Sequence, residues 1–336
     1  MKNYILIIAL SLASFASYSQ NEMRPTDKIA ETTYIEFHSS YLVNLHHFIF
    51  NKAMRFSFYK NDNQKQYDTL FAELKTPVDD KTKSNVMNAV NFYVDSLSKK
   101  NMLFDKELTS FKYALQGSAD FNELRKNSNS TLIIEAMQKA DAFYKKYYWT
   151  EQNKRNNEFI QTKITTITGI EEDVMANCSK YYQYTFSGKK FRVDLTDYAT
   201  FFAAYTTTEP YVSAIISSTN KKHDGTQGIE VIFHEISHAM IDSVFVIQQN
   251  ICTSKNLPFD HNVWHSILFY STGTFVKNAL SKVGQEHELY MYKNKLADFN
   301  PDIKKTMIAI NNYWQQYLDN KISMQNAIEY ILIQNN

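Results

Sequence analysis

The sequence predicts an α+β protein in which helix predominates, with one small sheet set just before a helix that carries the chemistry. Three observations predict it. Glycine and proline are sparse, 7 and 5 in 336 residues, which suits long helices with short connections. Apolar residues recur at helical spacing through most of the first 185 residues and again from Pro258 onward. Between these stretches, over residues 191–217, the texture changes to alternation and to β-branched or aromatic runs.

The elements follow in chain order. Lys2 supplies positive charge, residues 4–16 are apolar, and Ser17-Tyr18-Ser19 before Gln20 fits a small-x-small cleavage site. Residues 1–19 therefore read as a secretory signal peptide, which places the mature chain in the periplasm or outside the cell. The first cysteine, Cys178, comes too late for a lipoprotein anchor, and no later run of eighteen apolar residues predicts a membrane span.

Residues 20–185 read as a helical region. A helix over 35–53 carries one apolar stripe that includes Leu42, Leu45, Phe48 and Ile49, and residues 85–97 and 132–148 repeat the pattern. Asn129, Ser130 and Thr131 offer N-caps to the last of these, and a further helix is expected over 152–184. Ser187-Gly188 then breaks the texture and opens the second region, 186–336. Strands are expected at 191–195, 201–206 and 211–217, with Pro210 separating the last two. Residues 229–249 predict one uninterrupted helix, since neither glycine nor proline intervenes after Gly228. Asp260 is placed to cap a helix from His261 to about Lys282, Pro301 opens another through residue 318, and Ser323 caps the last.

Thirty-six basic and thirty-five acidic residues leave a net charge of +1, so no basic surplus points to nucleic acid. Cys178 and Cys252 would suit a disulfide in an oxidising compartment, and neither lies near the candidate ligands described next.

The segment His234-Glu235-Ile236-Ser237-His238 concentrates the chemistry. On a helix, residues four apart share a face, so both imidazoles point the same way and can hold one zinc ion at roughly 2.0–2.1 Å each. Glu235 follows the first histidine, where its carboxylate can take a proton from water activated by the metal. Sheet, active helix, then a helical segment with a further ligand is the layout of the zincin metallopeptidases, which this chain resembles over residues 191–282. Over the helical first half the likeness is only architectural. The resemblance implies that the last strand before the active helix, residues 211–217, lines the cleft and pairs with an extended peptide.

A catalytic zinc takes three protein ligands and leaves a position open. The metzincin spacing is absent, because Ala239-Met240-Ile241-Asp242 follows His238. Downstream candidates are His261, His265, Glu286, His287 and Glu288. His265 is the choice, since it sits in the apolar stretch Val263-Trp264-His265-Ser266-Ile267-Leu268-Phe269, where an unpartnered imidazole is costly to bury. Leu268 and Phe269 are then expected in the core. Glu286 and Glu288 flank His287 in a stretch that reads as a solvated turn. Glu230 and Asp242 are placed to orient a ligand imidazole, although each reads more simply as an exposed helical carboxylate. Tyr292, with Tyr290 beside it, is the candidate donor to a developing oxyanion. His38, His46, His47 and His223 lack a helical partner at ligand spacing and read as surface or packing residues.

The sequence thus predicts a secreted zinc-dependent hydrolase, foremost a peptidase acting on peptide or protein substrates. Its metal would be held by His234, His238 and His265, with Glu235 as general base and Tyr292 as the catalytic tyrosine. Two readings compete: a secreted binding protein that keeps a zincin scaffold, and a zinc hydrolase of a non-peptide substrate. The carboxylate of Glu235 argues against the first, since a structural site has no use for it.

Overall fold

Five short strands form one mixed sheet, and helices cover both of its faces. The computed structural model describes residues 27–58, 70–72, 74, 76–299 and 301–335; the expected signal peptide, residues 1–19, lies outside them. The strands are β1 (Lys28–Glu31), β2 (Ile35–His38), β3 (Phe191–Thr196), β4 (Ala204–Thr207) and β5 (Ser213–Ser217), in the spatial order β1-β2-β3-β5-β4. The middle pairings, β2 with β3 and β3 with β5, are parallel, and the outer two are antiparallel.

Two of these strands correct the reading of the first region as helical. The helix expected from residue 35 begins only at Tyr41–Phe58, because Ile35–His38 pairs with β3 in the register Ile35↔Phe191. Ile35 and Phe37 point to one core at the spacing of two that a strand requires. Pairing with a segment more than 150 residues away overrides a local pattern that also suits a helix.

The alternation of β3 separates the two sides of the sheet. Phe191, Val193 and Leu195 join Ile35, Phe37, Ala214 and Ile216 in a core shared with the helices Ile164–Tyr182, Thr226–Ser237 and His261–Lys282. Tyr205 and Ile215 face the other way, onto the helices Tyr41–Phe58, Asp80–Ser96, Lys106–Gln116 and Thr131–Tyr144. Arg192 and Asp194 are buried as a bidentate pair at 2.7 and 2.9 Å, and Gln116 Nε2 donates to the same carboxylate at 2.7 Å. A buried ion pair is tolerable only when its remaining hydrogen-bonding capacity is used in this way.

The expected continuous helix over 229–249 is interrupted. The first part, Thr226–Ser237, gives way at residues 238–241 and a second helix runs over Asp242–Lys255. Amide bonds there shorten in register to three residues: His238 to Glu235, Ala239 to Ile236, and Met240 to Ser237. Met240 and Ile241 are buried in the first core, so packing rather than glycine turns the chain.

Other ends follow their residues. Asp260 accepts from the Asn262 amide at 2.8 Å and starts His261–Lys282; Ser323 Oγ accepts from Asn326 N at 3.2 Å ahead of Met324–Asn335. Cys178 and Cys252, whose pairing the sequence leaves open, are free thiols, and Cys178 lies 3.6 Å from Ser237 Oγ. No helix of the described residues is long and apolar enough to cross a membrane.

Candidate metal centre

The helix Thr226–Ser237 closes on the second histidine of its motif, and His261–Lys282 packs against it. That crossing brings His265 to His234 and His238. The ring centroids are 5.0 Å apart for His234–His238, 5.4 Å for His234–His265 and 5.3 Å for His238–His265. One ring nitrogen of each lies within 4.8 Å of the other two. Nitrogens on a single tetrahedral zinc sit about 3.4 Å apart, given bonds of roughly 2.0–2.1 Å, which is the spacing such an ion would require of this triad.

Electrostatics prepares the rings to act as ligands. Burial first, and then the neighbouring imidazoles, hold His234 well below its ordinary range. Burial followed by His265 lowers His238 to about 3, and burial lowers His265 to about 4. All three are therefore neutral near pH 7, with the lone pair a cation needs. His234 Nδ1 is buried with no hydrogen-bond partner, an uncompensated acceptor or donor of the kind that a ligand resolves. Three imidazoles without thiolate suit zinc with one open position.

Two aromatic rings wall the triad. Phe269, expected in the core, packs against it from a half-buried position and stacks on His234 with centroids 3.7 Å apart; Leu268 is buried as expected. Trp264 lies 5.8 Å from His238 and 5.3 Å from His265.

Glu235, next to His234 in the chain, is buried, and Thr206 Oγ1 donates to its Oε2 at 2.7 Å. Burial raises the carboxyl to about 7, against the opposing pull of the Thr206 hydroxyl and the Lys112 ammonium. Lys112 lies on the far face of the sheet, bonded to Thr207 Oγ1 and to the Ser213 carbonyl, and burial lowers it to about 7. Neither Thr206 nor Lys112 was singled out by the sequence. A threonine in a four-residue strand has no local mark of its partner 29 positions on.

The strand beside the site is β4, not the one expected. Residues 211–217 form β5 as its observed span Ser213–Ser217, which lies between β3 and β4, so β4 is the sheet edge. Ser217 N donates to Ala203 O, and Ala203 stands opposite Ser217 by the register Ala204↔Ile216. Alternation along an antiparallel pair then turns the backbone N–H and C=O of Ala204 and Thr206 toward the edge that no other strand of the described residues occupies, where Ala204 O accepts from Thr200 Oγ1 at 3.4 Å.

Glu230 corrects another expectation. It is fully buried one turn before His234, accepts from the Tyr290 amide at 2.7 Å, and lies 2.5 Å from His287 Nε2. Gly273 permits this: a Cβ there would come within 2.5 Å of Glu230 Oε1. His287 also meets Thr226 Oγ1 at 2.9 Å, so the stretch read as a solvated turn has a buried anchor. Asp242 is exposed, as read.

The catalytic tyrosine named from sequence, Tyr292, is not brought to the triad. Its hydroxyl donates to Asn311 Oδ1 at 2.9 Å. Tyr290 lies nearer: its ring is parallel to Phe269 at 6.2 Å, and burial, Glu230 and Glu235 raise its hydroxyl to about 12. The rejected ligand candidates also lie elsewhere. His261 packs on Phe259 and lines a cleft with Phe245, Cys252 and Leu257, whereas Glu286 and Glu288 line another with Lys277 and Lys293. His38, His46, His47 and His223 are all buried.

Comparison of the chain with protein-family models, with curated proteins and with solved structures gives no match.

Proposed function

We propose that the chain is a zinc-dependent hydrolase, foremost a peptidase, whose zinc is held by His234, His238 and His265. One observation carries this reading: three neutral imidazoles from two helices converge beside a buried carboxyl anchored to a sheet edge. Zinc bound there would supply a Lewis acid for a carbonyl oxygen and would acidify water.

The chain's own residues do the rest. Glu235 is the carboxyl that would take a proton from the attacking water and return it to the leaving amine. The Thr206 hydroxyl holds Oε2 of that carboxyl and leaves Oε1 to act. Tyr290, rather than Tyr292, is placed to donate to the oxygen on which charge develops. The outward N–H and C=O of Thr206 offer an extended peptide a main-chain anchor beside the general base, which favours a peptide over other substrates. Secretion through residues 1–19 belongs to the same proposal and suits a degradative enzyme working outside the cytoplasm.

Zinc content and turnover of the Glu235→Gln variant test the reading. The protein should carry about one zinc per chain. The variant should keep it and lose hydrolysis by about 10²–10⁴-fold, the usual contribution of a general base. A zinc-loaded parent that hydrolyses no member of a mixed peptide library would favour the binding scaffold instead.

A further inference from the structure

Phe201 and Phe202 are 84% and 80% exposed, among the largest apolar exposures of the described residues, and they sit together. Their rings are edge to face at 5.4 Å. The loop that displays them is tied down. Asp197 accepts at its carbonyl from Ser217 Oγ and Thr219 Oγ1, both at 2.8 Å, and its carboxylate takes the Arg155 guanidinium at 2.7 Å. Thr200 then accepts from Phe202 N and from Ala203 N, and Ala203 adopts φ +68° to re-enter β4. A left-handed alanine is an unfavourable conformation that the surrounding bonds must hold in place. Two aromatic side chains are thus presented to solvent by a fixed loop at the start of the free edge strand.

The position relative to Glu235 gives the pair a use. Thr206, whose hydroxyl holds Glu235, lies four residues after Phe202 on the same chain. Phe201 and Phe202 are the central residues of the turn closed by Ala203 N on Thr200 O, immediately before β4. A peptide strand paired with Thr206 and advancing about 3.4 Å per residue toward Ala204 therefore meets the phenylalanines within about four residues, just past the start of the strand. We propose that Phe201 and Phe202 form an apolar subsite that grips a bulky hydrophobic side chain of an extended peptide paired with β4. The substrate class is then a peptide with an aromatic or large aliphatic residue within about four positions of the one beside Glu235. This rests on the peptidase reading. Continuity with the outward-facing Thr206 backbone selects a peptide over a lipid surface or a second copy of the chain, neither of which needs the loop to adjoin the general base.

The test uses the full chain as Glu235→Gln, zinc-loaded and immobilised, with a random-sequence decapeptide library as probe. Retained peptides should be enriched in Phe, Tyr, Leu or Met at one position, within about four residues of a common centre. Adding Phe201→Ser and Phe202→Ser should remove that enrichment and weaken retention of the selected peptides about tenfold, as loss of an aromatic anchor does. Zinc content and the thermal midpoint should stay unchanged, since both rings are exposed. Identical peptide sets from both proteins would overturn the subsite while leaving the hydrolase reading intact. So would a double variant that changes only sedimentation or vesicle binding. A parent that takes up no zinc and retains no peptide would overturn both.

Discussion

His46 and His47 on one side of the sheet, and His234 and His238 on the other, make almost the same ring pair. The first has centroids 5.5 Å apart at 90°, the second 5.0 Å at 87°, and burial holds every one of the four well under its ordinary pKa. What differs is the company of the nitrogens. His46 Nδ1 shares a hydrogen bond with Tyr93 at 2.8 Å, and His47 meets Val43 O at 2.8 Å and the Tyr205 hydroxyl at 3.1 Å. His234 Nδ1 meets no partner, and a third imidazole completes its surroundings. Burial and ring geometry therefore do not distinguish a packing histidine from a candidate ligand. What separates these two pairs is that protein has spent the lone pairs of one and that a third imidazole joins the other; unbonded nitrogens alone are not enough, since His38 keeps both of its own and no further ligand joins it among the described residues.

Exchanging each pair for alanine breaks the comparison most severely. His234→Ala or His238→Ala should abolish zinc binding, because two remaining imidazoles make a weak site. His46→Ala should leave the stoichiometry intact and lower stability by about 1–3 kcal/mol, since the buried Tyr93 hydroxyl loses its partner. Elemental analysis and a denaturant titration read both effects. Zinc retained by His234→Ala, or lost from His46→Ala, would mean that the wrong pair has been taken as the metal site.

A smaller effect separates the two tyrosines. Tyr290→Phe should lower kcat by about 10²-fold with zinc unchanged, the range expected for one donor to an oxyanion, and Tyr292→Phe should leave kcat near the parent value. Equal losses in the two variants would return the role to neither.

The site was more legible in the sequence than its supports, and the reason is distance along the chain. His234 and His238 declare themselves within five residues, because helix geometry alone makes them neighbours. His265 was readable from its own apolar surroundings. Glu230 was read as exposed, because the helix that buries it approaches through Gly273, 43 positions away. Tyr290 and Tyr292 look equivalent locally; only the Glu230 bond to the Tyr290 amide decides which one turns inward. Helical texture was read well where it extended over several turns, as in His261–Lys282. It misled at Ile35–His38, where four residues satisfy both periods and β3 makes the choice. The interruption after Ser237 left no mark either, since buried Met240 and Ile241 are as apolar as a continuing helix would want.

Gly273→Ala probes that hidden support. The added methyl would meet Glu230 Oε1 at 2.5 Å and Leu289 Cγ at 3.0 Å, and neither can retreat without loosening the Tyr290 segment. A loss of about 1–3 kcal/mol is expected, typical of overpacking, together with a lower kcat and unchanged zinc content. A parental melting curve would show that the close approach is incidental.

The smallest effect sharpens the comparison through pH. His47 is lowered to about 4, chiefly by burial, while the Val43 carbonyl and Asp194 favour its charged form and Lys112 opposes it. In the unfolded chain the same ring titrates near 6.5. Above that value neither state holds the proton. Below it the unfolded chain binds one and the folded chain does not, so stability falls with pH until about 4 and then levels. Between pH 7 and pH 6 one such group accounts for about 0.7 kcal/mol of lost stability. His47→Gln, compared with the parent at saturating zinc so that the triad contributes equally to both, should flatten the stability profile by that amount. Its intrinsic loss, from the bonds to Val43 and Tyr205, shifts the whole curve without changing the slope. Parallel profiles would mean that the imidazole on this side of the sheet takes up its proton as readily folded as unfolded, and that burial alone does not keep it neutral.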